Sequence, residues 1–300
     1  MTGVTLDSLP KPPPGYRPSK DTRREDGVVT FETFSASLDQ TESRASRLLV
    51  SIAALSEAEV DHALDLHRRL TDTVKTHIPY PTLACALYMR GLRERAIGWG
   101  WYTLDQFPDE AKGTACLIPI GMIVPADDLH LVDPGNLIKR LRNDFDRCGV
   151  TAAPGFIFAG LDAEFDITRG VYHFHYQLFG AGEKIDALNN LRDMPKYDST
   201  RREGLEGRSA EFARVQIKRG PFYNDPASLS YALKGYVAHH PSMLMPDGSL
   251  QRSSKDRAIP DPYHARWLLW RDRWKIGDFV LLSGMKVTKA GFVITSPSQK

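Results

Sequence analysis

Cysteine is scarce in this chain. Cys85, Cys116 and Cys148 are the only three in 300 residues, and no two form a CxxC pair. That argues against a disulfide scaffold and against a cysteine-built zinc site, and predicts a reducing, cytoplasmic setting. No apolar run approaches the ~18 residues that a membrane helix needs, and the mean hydropathy is −0.34. The N-terminal stretch lacks the apolar core of a secretory signal, which predicts a chain that is neither exported nor held in a membrane. Charge of one sign is not in excess either. Lys and Arg number 39 against 37 Asp and Glu, a net +2, too little to announce a nucleic-acid partner by itself. Internal repeats are absent, and so is a GxxxxGK[ST] run, which excludes a fused nucleotide-hydrolysing helicase.

What is present is an ordinary globular composition, 42% hydrophobic and 25% charged, arranged in four stretches. Residues 1–27 are rich in proline and charge and predict a disordered tail. Residues 28–110 form a helical N-terminal region. Ser56 and Glu59 have capping-box spacing, and Val60, Ala63, Leu64, His67 and Leu70 follow at helical period until Pro79 and Pro81. LACALYMRGLRER continues as a second helical stretch, whereas GWGWYTLDQF predicts loop or strand. In residues 111–240, CLIPIGMIV (116–124) predicts a buried strand that Pro119 pushes toward an edge or bulge. Asp133 and Pro134 open a helix with Leu137, Ile138, Leu141 and Phe145 on its apolar face, stopped at Gly149.

Two strands follow, 155–166 (with a break expected at Gly160) and 171–179. A helix EKIDALNNLRDM, a loop over 195–210 and a strand over 211–218 come next, and Asp225-Pro226 open a helix reaching 239. His239 and His240 then read as its C-terminal cap. The order over 115–218 is β-α-β-β-α-β, an α+β fold of ferredoxin-like type with an antiparallel sheet. Residues 241–300 form a C-terminal extension packing on this core, with a Trp-rich helix (ARWLLWRDRWKI) and short strands at FVLLS and GFVIT.

The chemistry-bearing residues lie in the second half. On a strand, His173 and His175 project to one face and Phe174 to the other. Two imidazoles so held are a metal pincer. Either register allowed by the ITRG turn puts Glu164 on the same face, with Asp166 as a backup of equal parity. Two histidines and a carboxylate suit Mg²⁺ or Mn²⁺ acting on a phosphate, or Zn²⁺ or Fe²⁺ in other chemistry. Downstream, Tyr231 and Lys234 are i,i+3 neighbours. An ammonium beside a phenol favours phenolate and can hold a phosphate oxygen, which makes Tyr231 a candidate nucleophile. Tyr236 lies about 140° away around a helix.

Together EFDITRGVYHFHYQLF, the helix after it and SLSYALKGY resemble the HUH endonuclease superfamily, in the branch of rolling-circle replication initiators. The family pattern of an acid, Arg-Gly and His-x-His falls here on Glu164, Arg169-Gly170 and His173-Phe174-His175, and its Tyr-x-x-Lys on Tyr231 and Lys234. Gly235 is inserted before Tyr236, where the family usually has Tyr-x-x-Lys-Tyr, and the first apolar strand lacks the usual threonines. The resemblance covers about 115–240 and implies an RRM-like sheet. It implies Mg²⁺ or Mn²⁺ on His173, His175 and Glu164, and catalysis by Tyr231 with Lys234. The implied activity is nicking and rejoining of single-stranded DNA at a replication origin, through a 5′-phosphotyrosine. A host helicase and polymerase would be partners.

Basic residues fit such a substrate: Lys139, Arg140 and Arg142 on the first helix, Arg169 in the hairpin turn, and Lys218 and Arg219 before the tyrosine. Arg201, Arg202 and Arg208, and the Trp267, Trp270 and Trp274 helix with its arginines, extend the list. The alternatives are a transposase or mobilisation relaxase of the same chemistry, or a non-catalytic RRM-like nucleic-acid-binding protein. The latter wants aromatics on the histidine face, and Tyr172 and Tyr176 fall on the other.

Overall fold

The structure is a computed structural model, and it describes residues 5–16, 33–203, 209–220, 225–239, 242–244, 250–252 and 257–295. Three long helices come first: α1 (Phe34–Ser51), α2 (Glu57–Thr76) and α3 (Ala86–Leu104). Ser56 caps α2, with its backbone N–H donating to Glu59 at 2.9 Å, as the capping box predicts. α3 runs straight through GWGWYTL, where loop or strand was expected. Its glycines serve close packing: a Cβ on Gly100 would lie 2.6 Å from the Phe179 ring. Residues 5–16 also depart from expectation. Leu6 and Leu9 are buried, Trp99 donates to the Pro10 carbonyl (2.9 Å), and Tyr88 donates to Asp7 (2.7 Å), so this part of the expected disordered tail is packed along α3.

The sheet-forming half begins with β1 (Lys112–Leu117) and β2 (Ile123–Pro125), followed by α4 (Pro134–Arg147), β3 (Phe156–Asp166), β4 (Val171–Ala181) and α5 (Glu183–Ala187). After these come β5 (Thr200–Glu203), β6 (Ser209–Phe212), β7 (Val215–Arg219) and α6 (Asp225–Ser230), with a 3-10 turn Tyr231–Leu233. The C-terminal part supplies β8 (Ala238–His239), β9 (Ser242–Leu244), β10 (Leu250–Arg252), β11 (Arg257–Ala258), α7 (Tyr263–Asp272), β12 (Val280–Ser283), β13 (Met285–Thr288) and β14 (Gly291–Ile294). Over 112–219 the chain runs β1-β2-α4-β3-β4-α5-β5-β6-β7, so the expected order is present only with three further strands interposed. The expected helix over 183–194 is α-helix to Ala187 and 3-10 from Leu188 to Asp193, and the expected strand over 211–218 is divided between β6 and β7. The expected strand over 116–124 is split: β1 and β2 lie along the same edge of β4, separated where Pro119 offers no N–H to the ladder. Gly160, by contrast, does not interrupt β3. The 195–210 stretch carries a 3-10 turn and part of the β5–β6 hairpin rather than loop alone, and Tyr197 is buried with its hydroxyl on Asp144 (3.0 Å).

The result is a mixed α+β molecule around a mostly antiparallel eight-stranded sheet, ordered β11-β8-β3-β4-β1-β7 with β12 on β3 and β2 on β4. Only β3–β8 pairs in parallel among the described strands. β11 and β12 lie beyond residue 240, so the stretch expected to pack on the core as an extension also supplies strands to its sheet. α4 and α5 cover one face: Tyr176 donates to the Leu137 carbonyl (2.8 Å), and Ile185 lies against Gly113. α7 adds to the same side, where Trp267 stacks on Tyr172 with ring centroids 5.4 Å apart. No helix of the described residues is long and apolar enough to cross a membrane.

A second, smaller core joins α1, α2 and α7 through Ala45, Leu48, Leu66, Leu70, Ala265 and Leu268. Asp272, at the end of α7, pins this layer. It accepts from His62 (2.7 Å), from both Arg69 terminal nitrogens (2.9 and 2.6 Å) and from Thr82 (2.5 Å). Burial would raise its carboxyl, but the bonds from His62, Arg69 and Thr82 outweigh that and hold it well below the usual carboxylate range. A depressed acid stabilises the fold above its unfolded pKa near 4, and that contribution is lost as pH falls through the folded value. Asp272→Asn is therefore expected to lower unfolding free energy by about 3 kcal/mol at pH 7. In urea denaturation, the gap to wild type should persist down to about pH 4 and close only below it.

Candidate active site

The β3–β4 hairpin sets the site. Asp166 closes its turn by accepting from the Thr168 and Arg169 N–H groups (3.0 and 3.2 Å). This four-residue loop fixes the register with Glu164 opposite His173 and Asp162 opposite His175. Both acids and both imidazoles therefore share one face, as parity requires. Phe174, Tyr172 and Tyr176 are buried on the other. The backup acid Asp166 is used in the turn, and its other oxygen lies 3.9 Å from His173 Nε2.

A cleft of about 730 Å³ opens over this face. Glu164, His173, His175, Gln177, Cys116, Gln216, Arg169 and Tyr231 line it. Tyr231 is 52% exposed, so its phenol reaches the opening. The neighbouring hollow, about 460 Å³, shares Tyr231, Cys116 and Gln177, and continues toward Thr114, Arg192 and Lys218. The Cys116 thiol is pushed up to about 12 by burial and by the charges of Asp162 and Glu164, so it stays neutral. Tyr231, by contrast, presents an exposed phenol among the residues that line the cleft.

The tyrosine arrives differently from expectation. α6 ends at Ser230, and Tyr231 opens a single 3-10 turn in place of a helix to 239. Residues i and i+3 eclipse in such a turn, so Lys234 still reaches back, its Nζ 5.3 Å from the Tyr231 ring centroid. The same Nζ lies 5.6 Å from the Tyr236 ring. Beyond it the chain is extended, and His239 is a buried strand residue beside Phe165 rather than a helix cap; His240 lies outside the described residues. The turn is seated by Gly160, where a Cβ would fall 1.6 Å from the Ala232 carbonyl oxygen. The suspected strand break is thus the point where the tyrosine segment touches the sheet.

Asp162 is the residue that sequence reasoning missed. It is buried, with Oδ2 3.4 Å from His175 Nε2 and 3.7 Å from Lys234 Nζ. Burial would raise its pKa and depress that of His175. Their ion pair, with Lys234 adding to the acid's side, wins over burial, so the acid is held low and the imidazole high. Asp162 links the metal candidates to the tyrosine turn. The signal was available: Asp162, Glu164 and Asp166 alternate on one strand face.

Two imidazoles and a carboxylate make a mixed nitrogen–oxygen donor set, which suits Zn²⁺ or Fe²⁺ through the imidazoles and Mg²⁺ or Mn²⁺ through the carboxylate. An acid and an imidazole stand directly opposite, the second imidazole is one rung deeper, and all three line one open cleft. Among the described residues, no three His, Cys, Asp or Glu side chains are already drawn into a ligand cage, and His175 is turned to Asp162. Of the basic candidates, Arg169 lines the cleft and Lys218 the adjoining hollow. Lys139, Arg140 and Arg142 do not join them: they are exposed on α4, behind the sheet. Arg219 is also turned away, paired with Asp186 of α5. The side chains of Arg201, Arg202 and Arg208 lie outside the described residues. Trp267 and Trp270 are buried in the opposite face and offer no stacking surface to the cleft.

Gly160→Ala is expected to destabilise the fold by about 1–3 kcal/mol through overpacking, whereas Gly277→Ala, with open space around it, should stay within about 0.5 kcal/mol. Paired chemical denaturation curves check the contrast. No family model, no curated protein and no solved structure matches the chain.

Proposed function

We propose that this protein is a metal-dependent endonuclease of the HUH type that nicks and rejoins single-stranded DNA, in the manner of a rolling-circle replication initiator. One observation carries the reading: the Tyr231 phenol lines the same cleft as His173, His175 and Glu164. The fold lends support. The four central strands run β7-β1-β4-β3 with α4 and α5 on the face away from the cleft, which favours the ferredoxin-like, RRM-like arrangement over other α+β sheets.

In this reading Glu164, His173 and His175 would hold Mg²⁺ or Mn²⁺, with His175 released from Asp162. The chemistry supplied by the bound ion is charge neutralisation on the scissile phosphate. The chain's own residues do the rest. The Tyr231 hydroxyl loses its proton to solvent, and its oxygen attacks phosphorus in line. The new Tyr–O–P bond forms as the P–O3′ bond breaks, and the departing oxygen takes up a proton to become a free 3′-OH. Lys234, its Nζ 5.3 Å from the Tyr231 ring centroid, is placed to steady a phosphate oxygen. Attack by a 3′-OH on the phosphotyrosine reverses the step and rejoins a strand. Lys218 and Arg192 along the adjoining hollow suit the backbone beyond the cut.

The test is a 3′-labelled pool of randomised single-stranded DNA incubated with Mn²⁺ and resolved on a denaturing gel. Wild type should carry label covalently, and Tyr231→Phe or added chelator should reduce it to background. His173→Ala should slow adduct formation by about 10²–10³-fold. An adduct that persists in Tyr231→Phe, or none from wild type across the pool, contradicts the proposal.

A further inference from the structure

The turn after Tyr231 is gripped from two parts of the chain far outside the hairpin. Arg44 of α1 donates through Nη2 to the Gly235 carbonyl at 2.6 Å and through Nη1 to the Ala84 carbonyl at 2.9 Å. Arg271 of α7 donates through Nη1 to the Lys234 carbonyl at 3.2 Å, and its Nη2 lies 3.4 Å from Met89 Sδ on α3. Both arginines are buried, at 6% and 4% exposure. The Lys234 and Gly235 carbonyls, on two successive peptides, thus sit in a socket made by α1, α3 and α7.

This arrangement is costly as a stability device. Burial, with the charges of Arg44 and Arg93 and against the pull of Asp162, brings Arg271 down to about 9, still protonated at neutral pH. Buried cations stabilise a fold poorly, and apolar residues of similar volume commonly do as well or better. Two guanidiniums on consecutive carbonyls do what apolar packing does not: they fix the rotation of two successive peptide planes, Lys234–Gly235 and Gly235–Tyr236, because each bond is directional. These planes directly follow the 3-10 turn Tyr231–Leu233. Their orientation bears on where the Lys234 ammonium meets Asp162 and, through the short turn, on where Tyr231 stands at the cleft. The extra residue Gly235 supplies one of the two gripped carbonyls.

We infer that Arg44 and Arg271 are positioning residues for the nucleophile, and that the N-terminal helical layer with α7 is a brace that holds the tyrosine turn in register with the histidine hairpin. The catalytic part of this inference rests on the nicking reading; the brace itself does not.

The full-length chain is compared with Arg271→Met and Arg44→Met, with the lysine variants at both positions as milder changes should the methionine forms fail to fold. The first readout needs no activity: hydrogen exchange of the backbone amides over 231–238, against those of β3, β4 and α2. Protection at the turn should fall by about tenfold while the hairpin and α2 keep theirs. The second readout is single-turnover adduct formation at saturating oligonucleotide. Its rate should fall by about 100-fold, the scale of a 1 Å misplacement, while oligonucleotide affinity stays within about threefold, because the DNA-lining residues are untouched.

Unchanged protection at the turn, or protection lost evenly over the whole chain, overturns the brace. A rate unchanged in a variant whose turn has loosened overturns the positioning role. If wild type forms no adduct yet the turn alone loosens, the brace stands and the nicking reading falls.

Discussion

Everything at the candidate site depends on the register of one hairpin. A slip by a single residue would send His173 and His175 into the core and bring Phe174 to the cleft. The residues that forbid that slip are on the reverse face. Tyr172, Phe174 and Tyr176 are buried there, Tyr172 stacked on Trp267 and Phe174 edge-on to Trp270 at 5.7 Å. Burying three such side chains is worth several kcal/mol, at roughly 2 kcal/mol each, far more than any polar contact in the cleft. The polar site is therefore specified by an apolar wall it never touches. Asp166, folded back on the turn, sets the loop length that this wall then locks.

The second constraint is the seat of the tyrosine. A tyrosine carried on a separate segment reaches the cleft only if that segment is held against the sheet, and this chain uses three contacts of different kinds. Gly160 allows the backbone of Ala232 to approach where a methyl group would block it. The Lys234 ammonium is drawn to the buried Asp162. The carbonyls that follow are taken by arginines from both ends of the chain. The helical layer, with no cleft residue of its own, enters the account through this seat. Asp272, which ties α2 to α7, keeps the same layer in place.

Much of this was legible in the residues, because the governing signals were local. The capping box at Ser56, the Asp133-Pro134 helix start and the alternation across His173-Phe174-His175 each express a short-range rule, and each has its counterpart in the structure. The shared face of Glu164 with the histidines followed from loop length alone. What escaped was set by tertiary packing. GWGWYTL is poor helix sequence by propensity, yet it is helix because its glycines admit neighbours. The helix expected to reach 239 stops early because the chain after Lys234 is pulled out to pair beside β3. Lys139, Arg140 and Arg142 are exposed on α4, across the sheet from the cleft, a separation no local pattern foretells. Asp162 was overlooked although its parity equals that of Glu164. Its importance comes from Lys234, about seventy positions away, which no periodicity reveals.

The central proposal is one of proximity: an ion held by Glu164, His173 and His175 would lie beside the phenol of Tyr231. The most direct measurement labels the protein with 3-fluorotyrosine, assigns the Tyr231 resonance by its loss in Tyr231→Phe, and titrates Mn²⁺ while following ¹⁹F line widths. The account predicts that Tyr231 broadens first among the tyrosines, and that this effect disappears in Glu164→Ala and in His173→Ala. A Tyr231 line that stays sharp at saturating Mn²⁺, or broadens equally in those variants, would contradict it.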